Sequence, residues 1–557
     1  MKLYKISFLI LGAIFVTASC NDIDEQNPEG GSITAAQSQE TNLAVTSRTK
    51  ATFAGMFTMM GQPHICWTTG RNDNRADDFG FIMQAFSNDL EGADMSSPDN
   101  DYNWFSAACE LSTRNPNYAN PYMRYTIPYR QIGIANQIVN SYPETITDSN
   151  AVNQIAQARA MRAFDYMSLA PYFQFNYSTA GDQPCVPILK DGTDYTNNPR
   201  ATVKQVYDYV IEDLDYAIEH LAGYNRGSDK TRIDQHVAYG LRARANLTMG
   251  NYAAAAADAA KALEGYTPAS IEEVSSPSFC NLNEHNWIWG INVTSNMVQG
   301  STDPTNGKSI DNSSPTCASW LSSFSGNGYA AGAQTYAVIN KLLYDKVSAT
   351  DVRKGWWLND KLHSPLLSTI TWGSATGDSI AKLVITDVKL AMIPYTNVKF
   401  GMKSGIGTVV NDNDFPLMRA EEMVLIEVEG LAKSGREGEA RTMLENFVKT
   451  YRDPSYTIPT NRQFADEIWF QRRVELWGEG FFISDAKRLG KPIVRFHGEN
   501  TSNFSDAFQF NMLANDGWLN MRFPQTELDN NQGIVNNSGG AQPEKGQNPN
   551  LRDGVTD

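Results

Sequence analysis

Histidine and cysteine are scarce in this 557-residue chain, at six residues each. His64, His220, His236, His285, His363 and His497 are dispersed, so no His-Glu-x-x-His pair puts two imidazoles on one helical face. A Gly-x-Ser-x-Gly elbow and a phosphate-cradling loop are missing too. Gly326-Asn327-Gly328-Tyr329-Ala330-Ala331 mimics a dinucleotide fingerprint, but a Ser-rich loop precedes it where a strand is required. The cysteines form no Cys-x-x-Cys pair, which argues against a zinc or redox site. These absences point to a protein that is not an enzyme and needs no cofactor or metal. Among 62 acidic residues, counting alone still leaves room for a glycosidase's carboxylate pair.

Basic charge is also short. Lys and Arg number 46 against 62 Asp and Glu, for a net charge of −16. An acidic surface repels phosphate backbones and anionic lipid, so nucleic acid is excluded as a partner and flat membrane binding is disfavoured. Beyond the first twenty residues no apolar run is long enough to span a bilayer.

The first twenty residues are distinctive. Lys2 and Lys5 precede the apolar run Ile6–Val16, and Thr17-Ala18-Ser19-Cys20 follows. Such a run is too short to cross a membrane and has the form of a cleaved export signal. The expectation is a signal peptide over 1–19, acylation of Cys20, and attachment to a membrane through lipid alone. Residues 20–40, polar and rich in Gly and Ser, read as a flexible tether. Cys66, Cys109, Cys185, Cys280 and Cys317 remain, odd in number, with any disulfide pairing open.

Residues 41–265 read as a helical region. Ala151–Phe173 carries helical spacing, and Val203, Val206, Tyr207, Val210, Ile211, Leu214 and Ile218 mark an amphipathic helix. Asp234–Met249, a Gly250-Asn251 turn and Tyr252–Leu263 form a helical hairpin with small residues where helices meet, the logic of a tetratricopeptide repeat. Residues 266–557 form the second region, packed with the first as one body. Over 266–416 Ser, Thr, Gly, Asn and Pro rise, and short strands are expected at Asn286–Ile291 and Lys382–Ile385, with one helix near Ala333–Tyr344. Trp287 and Trp289 should share one face of their strand, with Ile288 opposite; adjacent Trp356 and Trp357 should point in and out. Helices return over Pro416–Ser434 and Arg436–Thr450, joined at Gly435, and within 460–489, where Trp469 and Trp477 should lie on a packed helix. The last fifty residues read as irregular chain over the body. The fold class is mainly α: a tetratricopeptide-like hairpin scaffold with inserted loops and short β-strands.

Several segments carry a family resemblance. Phe415-Pro416-Leu417-Met418-Arg419-Ala420-Glu421-Glu422 and the helix it opens resemble a signature element of the SusD/RagB outer-membrane lipoproteins. Arg472-Arg473-Val474-Glu475-Leu476-Trp477-Gly478-Glu479-Gly480, continuing to Asp485 and Arg488, resembles a second. Arg522-Phe523-Pro524 with Glu527 and Asn530 resembles the family's closing stretch, and Gln547-Asn548-Pro549 its tail. Ala158–Ala163 and Arg200–Tyr207 fit its amino-terminal half. Phe482 departs from the family's usual arginine, and Gln525-Thr526 from an apolar-proline pair. The charged motif residues Glu421, Glu422, Arg472, Glu475, Glu479, Asp485 and Arg488 read as a buried ion-pair and capping network.

The resemblance implies a SusD-like protein on the outer membrane, facing the cell exterior. Its partners would be a glycan and a SusC-like TonB-dependent transporter that receives the glycan. Asp22, Asp24 and Glu25 resemble the surface-export signal of such lipoproteins. A peptide ligand is the alternative within the family; a structural adaptor is another. Sugar rings stack on Trp or Tyr while amide and charged groups bond the hydroxyls. Isolated aromatics in polar loops are therefore the candidate site: Trp67 with Arg71, Asn72, Asp73 and Asp78; Trp104; Trp320 and Tyr329; and Tyr395. Asp99-Asn100-Asp101 and Asp412-Asn413-Asp414 read as solvated turns.

Overall fold

Side-chain caps start the long helices. Asp148 accepts from the Ala151 N–H at 2.9 Å, Thr202 and Gln205 form a reciprocal capping box, and Asp234 accepts from the Val237 N–H at 3.0 Å. The structure is a computed structural model that describes residues 40–41, 46–62, 80–99, 104–190, 192–294, 321–326, 334–386, 388–499 and 501–557. Among them the chain runs α1 (Thr46–Thr58), α2 (Gly80–Leu90), β1 (Met95–Ser96), α3 (Trp104–Glu110), α4 (Ala119–Asn140), α5 (Ser149–Phe173), α6 (Tyr177–Ala180), α7 (Val203–His220), α8 (Gln235–Met249) and α9 (Tyr252–Leu263). It continues with β2 (Trp287–Ile291), β3 (Val338–Ile339), α10 (Lys341–Lys346), β4 (Thr371–Trp372), β5 (Ala375–Thr376), α11 (Ser379–Lys382), β6 (Phe415–Arg419), α12 (Ala420–Lys433), α13 (Glu437–Tyr451), α14 (Phe464–Glu475), α15 (Phe482–Leu489) and α16 (Gln525–Asn530).

The helices pack in sequence neighbours and then across the chain: α4 on α5, α5 on α7, α8 on α9, α9 on α12, and α12 on α13. Gly250, at φ +82°, ends α8 in the left-handed region and turns the chain into α9. Paired charges bind these layers. Arg162 grips Asp213 at 2.7 and 2.8 Å between α5 and α7, and Arg244 grips Glu422 at 2.6 and 2.7 Å between α8 and α12. One hydrophobic cluster runs from Met56 to Val555; a smaller one, including Val424, Leu425, Leu444, Phe447 and Ile468, fills the space among α12, α13 and α14. No helix among the described residues is long and apolar enough to cross a membrane.

The helices expected at Ala151–Phe173, Asp234–Met249, Tyr252–Leu263 and Arg436–Thr450 are present to within a residue or two. Several expectations fail for physical reasons. The segment Phe415–Arg419 is a strand, paired antiparallel with β2, and the helix starts only at Ala420. Pro416 lacks an N–H and favours the extended backbone before it. Trp287 and Trp289 do not follow simple alternation with Ile288, because the ladder is irregular between them and all five residues of β2 are buried. Trp356 and Trp357 are both fully buried; Trp356 closes a 3-10 turn from Val352, so no strand divides the pair between core and solvent. Lys382–Ile385 is not a strand, since α11 ends at Lys382 and Ile385 makes only an isolated bridge to Lys389. The helix near 333–344 begins at Lys341, capped by Asn340, after the strand Val338–Ile339. Trp469 lies in α14, but Trp477 falls past its end, donating to the Asp94 carbonyl at 2.9 Å.

Asp412-Asn413-Asp414 is buried rather than solvated. Asp414 accepts from the N–H groups of Leu282 and Val293, each at 2.9 Å, and from Lys403, while Asn413 donates to the Gly401 carbonyl at 2.9 Å. The triplet fastens loops to β2 and β6. Asp99 is described and Asn100-Asp101 lie outside the described residues. Cys109, Cys185 and Cys280 are free, buried thiols.

Candidate functional site

Trp67, Arg71, Asn72, Asp73 and Asp78 lie outside the described residues, as do Trp320, Tyr329 and Cys20. Trp104 opens α3, where only its backbone is described. Tyr395 is the candidate whose side chain can be placed.

A short ladder fixes Tyr395. β1 pairs antiparallel with β3 (Met95 with Ile339, Ser96 with Val338), and Val338 bridges onward to Thr396. The Ile339 N–H donates to the Tyr395 carbonyl at 3.1 Å, and the Tyr395 N–H donates to the Leu358 carbonyl at 3.1 Å. Its backbone sits at φ +68°, a conformation that L-residues rarely adopt. The ring is half-buried and meets Tyr344 edge to face, with centroids 5.2 Å apart. Behind it, the Lys354 ammonium lies 4.0 Å from the Tyr344 ring centroid. Burial, and then the nearby Asp345 and Asp360 set against Lys341, raises the Tyr395 phenol. It stays protonated at neutral pH, able both to donate and to accept.

The next rung anchors a loop. Asn397 donates to the Leu321 carbonyl at 2.8 Å and to the Ala337 carbonyl at 3.1 Å, and Ser323 donates to the Asn397 carbonyl at 2.6 Å. Leu321 directly follows Trp320 in sequence. The described flank of that loop is therefore tied two residues from Tyr395. At the other end of the ladder, β1 leads toward α3, which begins at Trp104.

The charged motif residues occupy a different place. Glu475 accepts from Arg452 at 2.8 Å twice, from Arg353 at 3.3 Å and from Arg419 at 3.4 Å, with no side chain in the group exposed. Glu421 accepts from Arg452 and pairs with Arg419 at 2.8 Å; Glu479 accepts from Arg419 and from Lys399 at 2.9 Å. Burial opposes the charge on Glu475, but Arg452, Arg419 and Arg353 outweigh it and hold the carboxyl well below the usual range. Arg472 and Arg488 share Asp485, and Arg488 also grips Glu429. Among the described residues no group of three His, Cys, Asp or Glu side chains is placed to hold a metal ion.

Two separate stretches of the chain match family descriptions. Residues 72–247 match a SusD-like family described as starch-binding and associating with the outer membrane, and residues 389–539 match the SusD family. The chain belongs to the SusD family. Solved SusD structures share its fold. A SusD-like carbohydrate-binding protein from Bacteroides vulgatus superposes with a TM-score of 0.67 at 20% identity, over 88% of this chain and 97% of its own. A laminarin-binding SusD-like protein gives 0.59 at 17% identity, over 88% and 99%. Surface glycan-binding protein A from Bacteroides fluxus gives 0.61 at 16% identity, over 89% and 99%. No curated protein matches the chain in sequence.

In this SusD-family chain, then, the motif charges are framework, buried and mutually paired as their sequence positions suggest. Phe482, the departure from the family's arginine, is buried and packs close to Gly92. Sequence reasoning passed over two aromatics that the structure exposes, Tyr118 at 46% and Tyr195 at 65%. Both stand alone in polar loops, Asn115-Pro116-Asn117-Tyr118 and Asp194-Tyr195-Thr196-Asn197, the same signal that marked Trp67 and Trp320. Their loops flank α16: the Gln525 N–H donates to the Pro116 carbonyl at 3.0 Å, and the Gln532 N–H to the Thr196 carbonyl at 2.8 Å.

Proposed function

We propose that the protein is a cell-surface glycan-binding lipoprotein without catalytic activity, which captures oligo- or polysaccharide and delivers it to a SusC-type TonB-dependent transporter. Cys20 carries the lipid, and residues 20–40 let the body sit away from the outer membrane. The Tyr395 ring takes the apolar face of a sugar, and the loop residues Trp67, Arg71, Asn72, Asp73, Asp78, Trp104, Trp320 and Tyr329 supply further stacking and hydroxyl bonds.

The observation that carries this reading is the combination of SusD family membership with a half-exposed aromatic held rigidly beside a loop anchor. A ring fixed by its backbone and by an edge contact loses little freedom when a ligand stacks on it. A few stacking contacts and hydroxyl bonds give affinities of roughly 1 mM to 1 μM, or about −4 to −8 kcal/mol. Weak capture suits hand-over, because a tightly held ligand would not leave.

Calorimetry of the full chain in detergent, against starch, laminarin and a peptide panel, tests the ligand class. Saturable binding to a polysaccharide without release of reducing sugar is expected. A response to peptides alone sinks the glycan reading, and released sugar sinks the non-catalytic one. Cys20→Ser should free the protein from the envelope; a variant that stays attached would remove the lipid anchor from the account.

A further inference from the structure

Tyr118 and Tyr195 are the only exposed aromatic side chains among the described residues, at 46% and 65%. Apolar side chains scattered singly over a surface are ordinary. These two are not scattered, because their loops are tied to opposite ends of one short helix. The Gln525 N–H at the start of α16 donates to the Pro116 carbonyl at 3.0 Å, and the Gln532 N–H just past its end donates to the Thr196 carbonyl at 2.8 Å. Between them α16 buries none of its residues, so it stands as a ridge on the surface. Val535, 79% exposed, follows the ridge, its carbonyl held by Arg200 at 3.1 Å.

Both loops are held in place. The Tyr118 N–H donates to the Asn115 carbonyl at 3.1 Å, and Tyr118 is the residue from which α4 starts. Around Tyr195, Asp194 accepts from the Thr196 N–H at 2.9 Å and its hydroxyl at 2.7 Å. Asn531 then fastens that loop to the end of α16, accepting from the Asn198 N–H at 2.8 Å and donating to the Asn198 carbonyl at 2.9 Å. Rings on backbone fixed in this way lose little freedom when a ligand covers them.

The ground between the rings sets the chemistry of what covers them. Residues 115–118, 194–198 and 525–532 contain no Lys or Arg. Their carboxylates are engaged locally: Asp194 as above, Asp529 by Gln525 at 2.7 Å, and Glu527 by Asn531 at 2.9 Å. A phosphate, sulfate or uronate would find negative charge there and no cation. The side chains of Asn117, Asn197 and Thr526 are exposed and bond nothing among the described residues. Amides and hydroxyls flanked by flat apolar rings suit a ligand with C–H faces and hydroxyl edges. Gln525 and Gln532 lie seven residues apart, roughly 10 Å at the helical rise. A single sugar ring is shorter than that span.

We propose that the ridge formed by Tyr118, α16 and Tyr195 is a second binding site, for a run of neutral sugar residues within a polysaccharide. One sugar stacks on each tyrosine, and the amides and hydroxyls between them bond the intervening hydroxyls. The site shares the ligand class proposed above but none of its residues. Two sites on one body raise affinity for a long chain, because the second contact becomes intramolecular once the first has formed.

Tyrosine nitration by tetranitromethane, mapped by mass spectrometry on the full chain in detergent, reads the two rings directly. Soluble starch, laminarin and xylan are the neutral probes, and polygalacturonate the anionic contrast. At least one neutral polysaccharide should lower nitration of both Tyr118 and Tyr195 threefold or more, equally in the parent and in Tyr395→Ala, while polygalacturonate leaves it unchanged. Replacing both tyrosines by Ala should lower affinity for the same polysaccharide fivefold or more, with thermal unfolding unchanged. If that double variant fails to fold, nitration of the parent still decides. Protection by no neutral polysaccharide, protection of one tyrosine alone, or protection by polygalacturonate alone would each overturn the proposal. So would parental affinity in a folded double variant. Protection by outer-membrane vesicles but by no polysaccharide would make the ridge a protein contact and also overturn it. Protection that disappears in Tyr395→Ala would make the ridge part of the first site rather than a second one. Parental affinity in Tyr395→Ala, with affinity lost in the double variant, would instead count against Tyr395 and leave the ridge standing.

Discussion

Arg452 closes a bidentate pair on Glu475, with Nε to Oε2 and Nη2 to Oε1 both at 2.8 Å and neither side chain reaching solvent. The same carboxylate meets Arg353 and Arg419, so it compensates three buried cations. Glu475→Gln keeps the shape and removes the charge. Breaking a buried pair leaves the partner charge uncompensated, at a cost of about 3–5 kcal/mol. The urea midpoint should fall by that equivalent with an unchanged slope. Because the two residues act as a unit, Glu475→Gln with Arg452→Met should cost less than the two single changes added together.

The buried amine of Lys487 should leave a pH signature. Burial is the main cause of its fall from 10.5 to about 7, with Arg114 adding to it. The unfolded chain therefore holds a proton that the folded chain lacks between pH 7 and 10.5, and stability contributed by this group rises with pH across that window. The slope is about 1 kcal/mol per pH unit. Lys389, lowered to about 8 by burial, acts in the same direction. Thermal unfolding from pH 7 to 8.5 should show Tm rising less steeply in Lys487→Met than in the parent. Identical slopes would mean that the amine stays charged among its carbonyl partners.

Tyr395 offers a test of the surface site that a structural role would not mimic. Tyr395→Phe keeps the ring and its edge contact with Tyr344, while Tyr395→Ala removes both. A stacked ring contributes about 0.5–1.5 kcal/mol beyond its buried area, so affinity for the polysaccharide should drop roughly two- to tenfold in the alanine variant. The phenylalanine variant should stay within about twofold of the parent. Affinity electrophoresis in polysaccharide gels measures both. Equal mobility of the alanine variant and the parent would remove Tyr395 from the site.

Much of the helical frame was legible because its information is local. The spacing of Val203, Val206, Val210 and Leu214 marks α7, and the Gly250-Asn251 turn marks the α8–α9 hairpin, whatever surrounds them. The strand at Phe415–Arg419 was not legible, because its partner, Trp287–Ile291, is more than a hundred residues away. The paired charges of the motifs could be anticipated as a network, but not their partners Arg353, Lys399 and Arg452, which come from segments without a motif. Arg472 lies nearly four hundred residues from Gln84 and Asn88 in sequence, and all three look like ordinary helix surface until the fold buries them.

Gly430 sets the distance between two helices, and a matched pair of substitutions isolates that effect. A Cβ at Gly430 in α12 would stand 2.6 Å from the Tyr252 carbonyl oxygen and 2.9 Å from Ala256 Cβ in α9. The nearest atom is backbone, which a rotamer change cannot move, so Gly430→Ala must push α9 away. Overpacking of this kind costs about 1–3 kcal/mol. Gly438, in the first turn of α13, has nothing within 4 Å of the same added atom. There alanine only restricts the unfolded chain and improves helix propensity, a gain of up to about 1 kcal/mol. Gly430→Ala should therefore lower Tm and Gly438→Ala should hold or raise it, by differential scanning calorimetry under one buffer. Similar Tm values in the two variants would show that α9 and α12 have room to separate, and that the contact at Gly430 does not limit their approach.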